Sequence, residues 1–157
     1  MILLKDSVEI ETTPERLFDW FDNLPAHYLA WHPDHVACRF LKGEAFQEGT
    51  VLYAEEYLHG KLHRLKFRAT RVLPNDRLEY QLFPGMKGGF IIRPLNGTVR
   101  FTATLAFGTG MPVIGRILDL LLGRVLAQQL DAMRQHMREE GENLKHLLET
   151  APASSGG

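Results

Sequence analysis

The chain has 157 residues, of which 45% are hydrophobic and 24% charged, with a formal net charge of −1. This is the size of one domain with a single sizeable core, and the near-neutral balance supplies no field that would recruit nucleic acid or an anionic membrane. The single cysteine, Cys38, excludes an intrachain disulfide, and no apolar run is long enough to span a bilayer.

The N-terminus M-I-L-L-K-D-S-V lacks the basic start and long apolar run of a signal peptide, which together with the lone cysteine points to the cytoplasm. Leu3 to Glu11 alternates as a strand. Thr12-Thr13-Pro14-Glu15 is a helix start, with a threonine cap, proline in the first turn and an early carboxylate. A short amphipathic helix follows through Leu17, Phe18, Trp20 and Phe21, and Asn23-Leu24-Pro25 breaks it. Ala26 to Trp31 reads as a second short helix ended by Pro33. Strands are then expected over Val36–Leu41, Val51–Leu58, Leu62–Leu73 and Arg77–Phe83, with turns at 42–49, at His59-Gly60 and at Pro74-Asn75-Asp76. Pro84-Gly85 and Gly88-Gly89 read as a flexible connection. Phe90–Arg93 and Thr98–Phe107 flank Asn96-Gly97, the strongest hairpin signal in the chain.

A long helix runs from roughly Pro112 to Thr150. The small, polar tail over 151–157 is expected to be disordered, leaving residues 1–150 as one domain. The order is strand, two short helices, about six hairpin-linked strands and one long helix. Short connections imply an antiparallel sheet, about seven strands in all, and only the long helix is able to cover its buried face. The expected class is therefore α+β, a sheet curled around a helix with a pocket between them.

The long helix carries the sharpest chemical signal. Leu126, Leu130, Met133, Met137, Leu144 and Leu148 form one apolar stripe at helical spacing. Glu140 falls inside that stripe and His136 at its edge, one turn apart on the same side. A carboxylate aimed at a core needs a partner. A metal ion ligated by both residues is one solution; a salt bridge from an arginine at a partly exposed helix edge is the other. In the strand Val51–Leu58, Glu56 shares parity with Leu52, Ala54 and Leu58 and so points inward, either into a pocket or onto an arginine such as Arg71 or Arg100. His59 reads as a turn residue and His146 as solvent-facing. His63 alternates with Leu65, Phe67 and Ala69 and is placed to line the cavity. Arg64, Lys66 and Arg68 lie on the opposite, solvated strand face, so this basic run is not a nucleic-acid patch.

Element order and the opening V-E-I-E-T-T-P-E-R-L-F-D-W-F resemble the helix-grip, START-like (SRPBCC) superfamily of lipid-transfer domains, plant allergens and polyketide cyclases. The resemblance spans Leu3 to about Glu149. A narrower one, to the diacetylphloroglucinol hydrolase branch, rests on Y-L-A-W-H-P-D-H, A-E-E-Y and H-M-R-E-E-G-E-N-L. Those enzymes are zinc-dependent and cleave a carbon–carbon bond between an acetyl group and a phenolic ring. The resemblance implies metal ligation by His35, Glu56, His136 and Glu140, and a substrate hydroxyl held by Tyr28. Two histidines and two carboxylates suit Zn²⁺ and also Mn²⁺, Fe²⁺ or Ni²⁺. The leaving ring carbon must be protonated, and His32 or His63 is available as the acid. Asp34 either orients a ligand or shapes the Pro33-Asp34 turn.

Three functions follow as expectations. The first is a metal-dependent hydrolase of a small aromatic or acyl compound. The second is a non-catalytic carrier of a small hydrophobic ligand. The third is a partner-binding domain in which the run Ile114–Leu122 docks another chain, so the protein is expected as a monomer or homodimer.

Overall fold

The computed structural model describes residues 1–82, 86–108, 120, 124 and 127–150. The elements in order are β1 (Ile2–Ile10), α1 (Pro14–Asp22), α2 (Leu24–Trp31), β2 (His35–Lys42), β3 (Val51–Leu58), β4 (Lys61–Leu73), β5 (Arg77–Gln81), β6 (Met86–Pro94), β7 (Val99–Phe107) and α3 (Ala127–Thr150). The strands form one antiparallel sheet in the order β1-β7-β6-β5-β4-β3-β2, which leaves β1 and β2 as its edges. The sheet curves around α3, which packs on β1, β7 and α2. This is the expected α+β helix-grip architecture. No helix among the described residues is long and apolar enough to cross a membrane.

Local signals explain most of these boundaries. Thr13 caps α1 by accepting the Arg16 N–H, and Pro14 occupies its first turn. The break expected at Asn23-Leu24-Pro25 is narrower than the sequence suggests. Asn23 alone ends α1, and Pro25 sits in the first turn of α2, where a missing N–H costs nothing. His59 and Gly60 both adopt positive φ, +54° and +71°, as the expected two-residue hairpin turn requires. Aromatic packing ties the short helices to the sheet: Phe21 stacks on Phe90 and Phe101, with ring centroids 4.5 and 5.5 Å apart, and Trp31 packs edge-on to Phe21. These contacts fix α2, and with it everything α2 presents to the site.

The long helix is described from Ala127 onward; Leu120 and Arg124 are also helical. The stripe is as expected at Leu130, Met137, Leu144 and Leu148, all buried, and at half-buried Met133. Leu126, the rest of Ile114–Leu122 apart from exposed Leu120, Phe83 and the tail 151–157 lie outside the described residues. Gly141 is buried where α3 crosses β1, and a Cβ there would lie 3.4 Å from Asp6 Oδ2 and 3.5 Å from Val8 Cγ1. These are ordinary van der Waals distances, so the helix lies close to β1 at this point without requiring a glycine.

Part of one expected flexible connection is a strand, its Pro84-Gly85 half lying outside the described residues. Gly88 and Gly89 belong to β6, paired with Tyr80 and Glu79. Gly88 is a seat for the Tyr80 ring: a Cβ on it would lie 2.3–2.5 Å from Tyr80 Cζ, Cε2 and the hydroxyl oxygen. Glycine in a strand reads as flexible from sequence, but here it marks the close approach of an aromatic side chain. Gly88→Ala is expected to destabilise the protein by about 1–3 kcal/mol, seen as a lower urea midpoint. An unchanged midpoint would mean the Tyr80 ring moves aside freely.

Candidate functional site

A β-bulge turns His35 into the interior. Plain alternation along β2 would put His35 on the same face as Ala37, opposite Cys38 and Phe40. The register shifts between His35 and Ala37, so His35 pairs with Glu56 while Ala37 pairs with Glu55. The extra residue, exposed Val36, reverses parity, and His35 and Cys38 then face the same way. Glu56 points inward beside Leu52 and Ala54, both 0% exposed, as its strand parity predicts. Glu55 lies on the other face, where it accepts from the Tyr53 hydroxyl and pairs with Arg64.

α3 supplies His136 and Glu140 from consecutive turns. The four side chains converge: one ligand-type atom from each of His35, Glu56, His136 and Glu140 lies within 4.8 Å of the other three. His35 Nε2 is 2.9 Å from Glu140 Oε1 and 3.6 Å from Glu56 Oε2. His136 Nε2 is 3.3 Å from Glu140 Oε1 and 3.7 Å from Glu56 Oε2. Around a small divalent ion with bonds of about 2.0–2.1 Å, tetrahedral ligands stand about 3.3–3.4 Å apart. The four separations bracket that value. Neither Arg71 nor Arg100 takes the inward carboxylates; Arg100 pairs with Glu9 at the surface. Among the described residues, the ion-pair partners of Glu56 and Glu140 are histidines alone.

Two further features fit a cation. His35 Nδ1 is 2.8 Å from the Tyr28 carbonyl, so it carries a proton and donates it there. That leaves Nε2, 2.9 Å from Glu140 Oε1, as the ring atom turned toward the carboxylates and available to an ion. His136 Nε2 is buried and has no hydrogen-bond partner, despite its nearness to Glu140. Without a metal, the carboxylates must be answered by protons. Burial pulls the His136 imidazole down, but Glu140 and Glu56 outweigh it and push it up to about 8. Burial raises Glu140, and the two imidazoles outweigh that and hold it at about 2.

Surrounding groups brace the four. Trp31 Nε1–H donates to the Glu140 carbonyl at 2.9 Å, and Asn143 Nδ2 donates to the Trp31 carbonyl at 3.0 Å, so α2 and α3 are clamped across the site. His32 is 4% exposed, and its ring centroid lies 4.2 Å from that of His136. Its Nδ1 accepts the Asp34 N–H at 3.0 Å, which places the proton on Nε2, where it is donated to Glu139 at 2.7 Å. His32, Asp34 and His136 form a second convergent trio. Both nitrogens of His32 are already engaged, so the trio orients the His136 ring and offers no second ligand set. Asp34 also receives the Tyr57 N–H on its carbonyl and so closes the turn as well.

The other sequence candidates separate. His63 lies directly across from Glu56 on β4, on the same face, and is exposed. His59 is a turn residue that bonds the Gln128 carbonyl, and His146 is exposed, both as expected. Glu139 and Asn143 lie within H-M-R-E-E-G-E-N-L but nothing in that run singles them out, and Tyr80 lies in no motif. Tyr80 shares inward parity with Leu78, and burial together with Glu140 and Glu56 raises its hydroxyl pKa. A separate groove of about 390 Å³, lined by Arg77, Glu79, Lys87 and Thr104 among others, includes none of the four convergent residues.

A family model described as "Polyketide cyclase / dehydrase and lipid transport" matches residues 1–138. No curated protein matches the sequence significantly. A Thermus thermophilus protein is similar in structure, with a TM-score of 0.75, 14% identity and coverage of 97% of this chain and 100% of its own. An aromatase/cyclase from a Streptomyces species superposes with a TM-score of 0.65 at 13% identity, covering 99% of this chain and 98% of its own. A START superfamily protein of Mycobacterium smegmatis follows at a TM-score of 0.58 and 18% identity, covering 86% and 96%. At these identities the likenesses establish the fold alone.

Proposed function

Because the chain belongs to the polyketide cyclase, dehydrase and lipid-transport family, we propose that it binds a small hydrophobic or aromatic molecule beside a divalent metal and hydrolyses it. The observation that carries the metal reading is the convergence of His35, Glu56, His136 and Glu140 within 4.8 Å without a lysine or arginine partner among the described residues. Zn²⁺ or another divalent transition ion suits two imidazoles and two carboxylates. Such an ion supplies Lewis acidity, polarising an acyl carbonyl and acidifying water.

The chain's own residues do the rest. Glu56 and Glu140 offset the two positive charges, so the loaded site is neutral and favours an uncharged or weakly polar ligand. Tyr28, Trp31 and Phe90 are at most 7% exposed and wall off solvent from behind. Half-buried Phe40, Leu65, Phe67 and Met133 offer apolar surface for a ring. Cleavage of an acyl group from an aromatic ring requires a proton at the departing carbon. His32 holds its Nε2 proton against Glu139, whereas His63 is uncommitted among the described residues and faces the same side as Glu56. His63 is therefore the acid, and His32 braces His136.

The test is turnover of acylated phenols by metal-loaded protein. Loss on chelation and recovery on metal addition are expected. His63→Gln is expected to lower turnover by about 10²–10⁴-fold with metal content unchanged. Hydrophobic-ligand binding that is indifferent to chelators, with no turnover, would leave the carrier reading that the family description also supports.

A further inference from the structure

We propose that Tyr28 is a positioning residue that aims two of the four metal ligands, with its hydroxyl directed to Glu56 rather than to a substrate. This rests on the metal reading above. Three separate parts of Tyr28 engage the site. Its hydroxyl donates to Glu56 Oε2 at 2.8 Å. Its carbonyl accepts from His35 Nδ1 at 2.8 Å. Its ring lies face to face with the His35 imidazole, with centroids 3.8 Å apart and planes inclined by 6°.

Each contact has a physical origin in the local structure. Tyr28 falls in the last turn of α2, where the final four carbonyls lack an intrahelical donor. One of these carbonyls fixes the proton of His35 on Nδ1, leaving Nε2 as the ligating atom. The stacked ring holds the imidazole plane. The terminal torsion of a glutamate is broad, so a carboxylate rotates easily unless something pins it. The oxygen that Tyr28 pins, Glu56 Oε2, is the one that faces both His35 Nε2 and His136 Nε2, at 3.6 and 3.7 Å. Tyr28 is 4% exposed, so the hydroxyl is not displayed to incoming molecules. A carboxylate oxygen only accepts, so the 2.8 Å contact itself makes the hydroxyl the donor. The resemblance drawn from Y-L-A-W-H-P-D-H implies a substrate-holding role for this tyrosine. In this chain its hydrogen is already committed to a ligand.

The experiment is a metal-affinity cycle. Apparent dissociation constants are measured by competition with a chromophoric chelator for the wild type, Tyr28→Phe, Glu56→Ala and the double variant. Tyr28→Phe keeps the ring and the carbonyl and removes only the hydroxyl. It is expected to weaken metal binding about 10- to 100-fold, with the metal-free melting temperature close to wild type. On the Glu56→Ala background the same change is expected to add less than about twofold, because the carboxylate through which it acts is gone. A Tyr28→Phe protein that binds metal as tightly as wild type, or loses the same factor on both backgrounds, would overturn the assignment while leaving the metal site standing. A wild type that binds no metal would overturn both.

Discussion

Glu140→Ala is expected to abolish retention of a stoichiometric divalent ion through dialysis against a chelator. Structural four-ligand zinc sites are worth about 10–16 kcal/mol, so an evenly shared ligand carries about 2.5–4 kcal/mol, or roughly 10²–10³-fold in affinity. Glu140 has more than an even share by position, since one of its oxygens lies within 3.3 Å of both imidazoles. Its removal also leaves His35 Nε2 and His136 Nε2 without their nearest carboxylate, which costs about 1–3 kcal/mol of stability in the metal-free protein. Glu140→Gln separates the two effects. It keeps a hydrogen-bonding side chain of the same shape, so it is expected to fold normally and still lose the ion. Full metal content in either folded variant would show that the ion, if present, sits elsewhere.

The second large effect is a reversal of the stability–pH slope on metal loading. In the metal-free protein the folded pKa of His136 is raised to about 8 from an ordinary value of about 6.5. A raised pKa stabilises the fold below the unfolded value, and that stability is lost as pH rises through the folded one. Metal-free protein should therefore lose stability between pH 6.5 and 8, by at most about 2 kcal/mol at 1.36 kcal/mol per unit. Glu140, held at about 2, has the opposite sign: its contribution is present above about 4.5 and lost as pH falls toward 2. Maximum metal-free stability is expected between about pH 4.5 and 6.5. Metal binding needs these groups deprotonated, so affinity climbs with pH over the same window. At a hundredfold excess over the dissociation constant, metal adds about 2.7 kcal/mol, or about 5–11 °C in melting temperature for a chain of this size. Melting curves from pH 5 to 8.5, with and without metal, are expected to diverge as pH rises. Parallel curves would mean His136 neither bears the proton nor yields it to an ion.

The architecture was legible because hairpin signals and a single amphipathic helix leave few ways to bury one sheet face. Glu140 stood out for a related reason: a carboxylate in the stripe of Leu130, Met137 and Leu144 violates the pattern that packing imposes. Glu56 followed from simple parity. His35 did not, because a one-residue bulge at Val36 reverses the face it presents, and nothing in H-P-D-H-V-A announces a bulge. Its place came from the family resemblance alone. Gly88 was misleading because glycine has two opposed meanings in a strand, and only the position of the Tyr80 ring distinguishes them. The bracing hydrogen bonds that join Trp31 and His32 to Glu139, Glu140 and Asn143 of α3 span 107–112 positions in sequence and carry no local signal.

Metal content bears most directly on the central claim. Protein produced without a metal-affinity tag would be reconstituted with Zn²⁺, desalted and assayed for elemental composition beside His136→Ala. The convergence of His35, Glu56, His136 and Glu140 predicts close to one ion per chain in the wild type and almost none in the variant. A wild type that holds no ion after reconstitution would contradict it, and the cluster would then be a buried histidine–carboxylate network in a hydrophobic-ligand carrier.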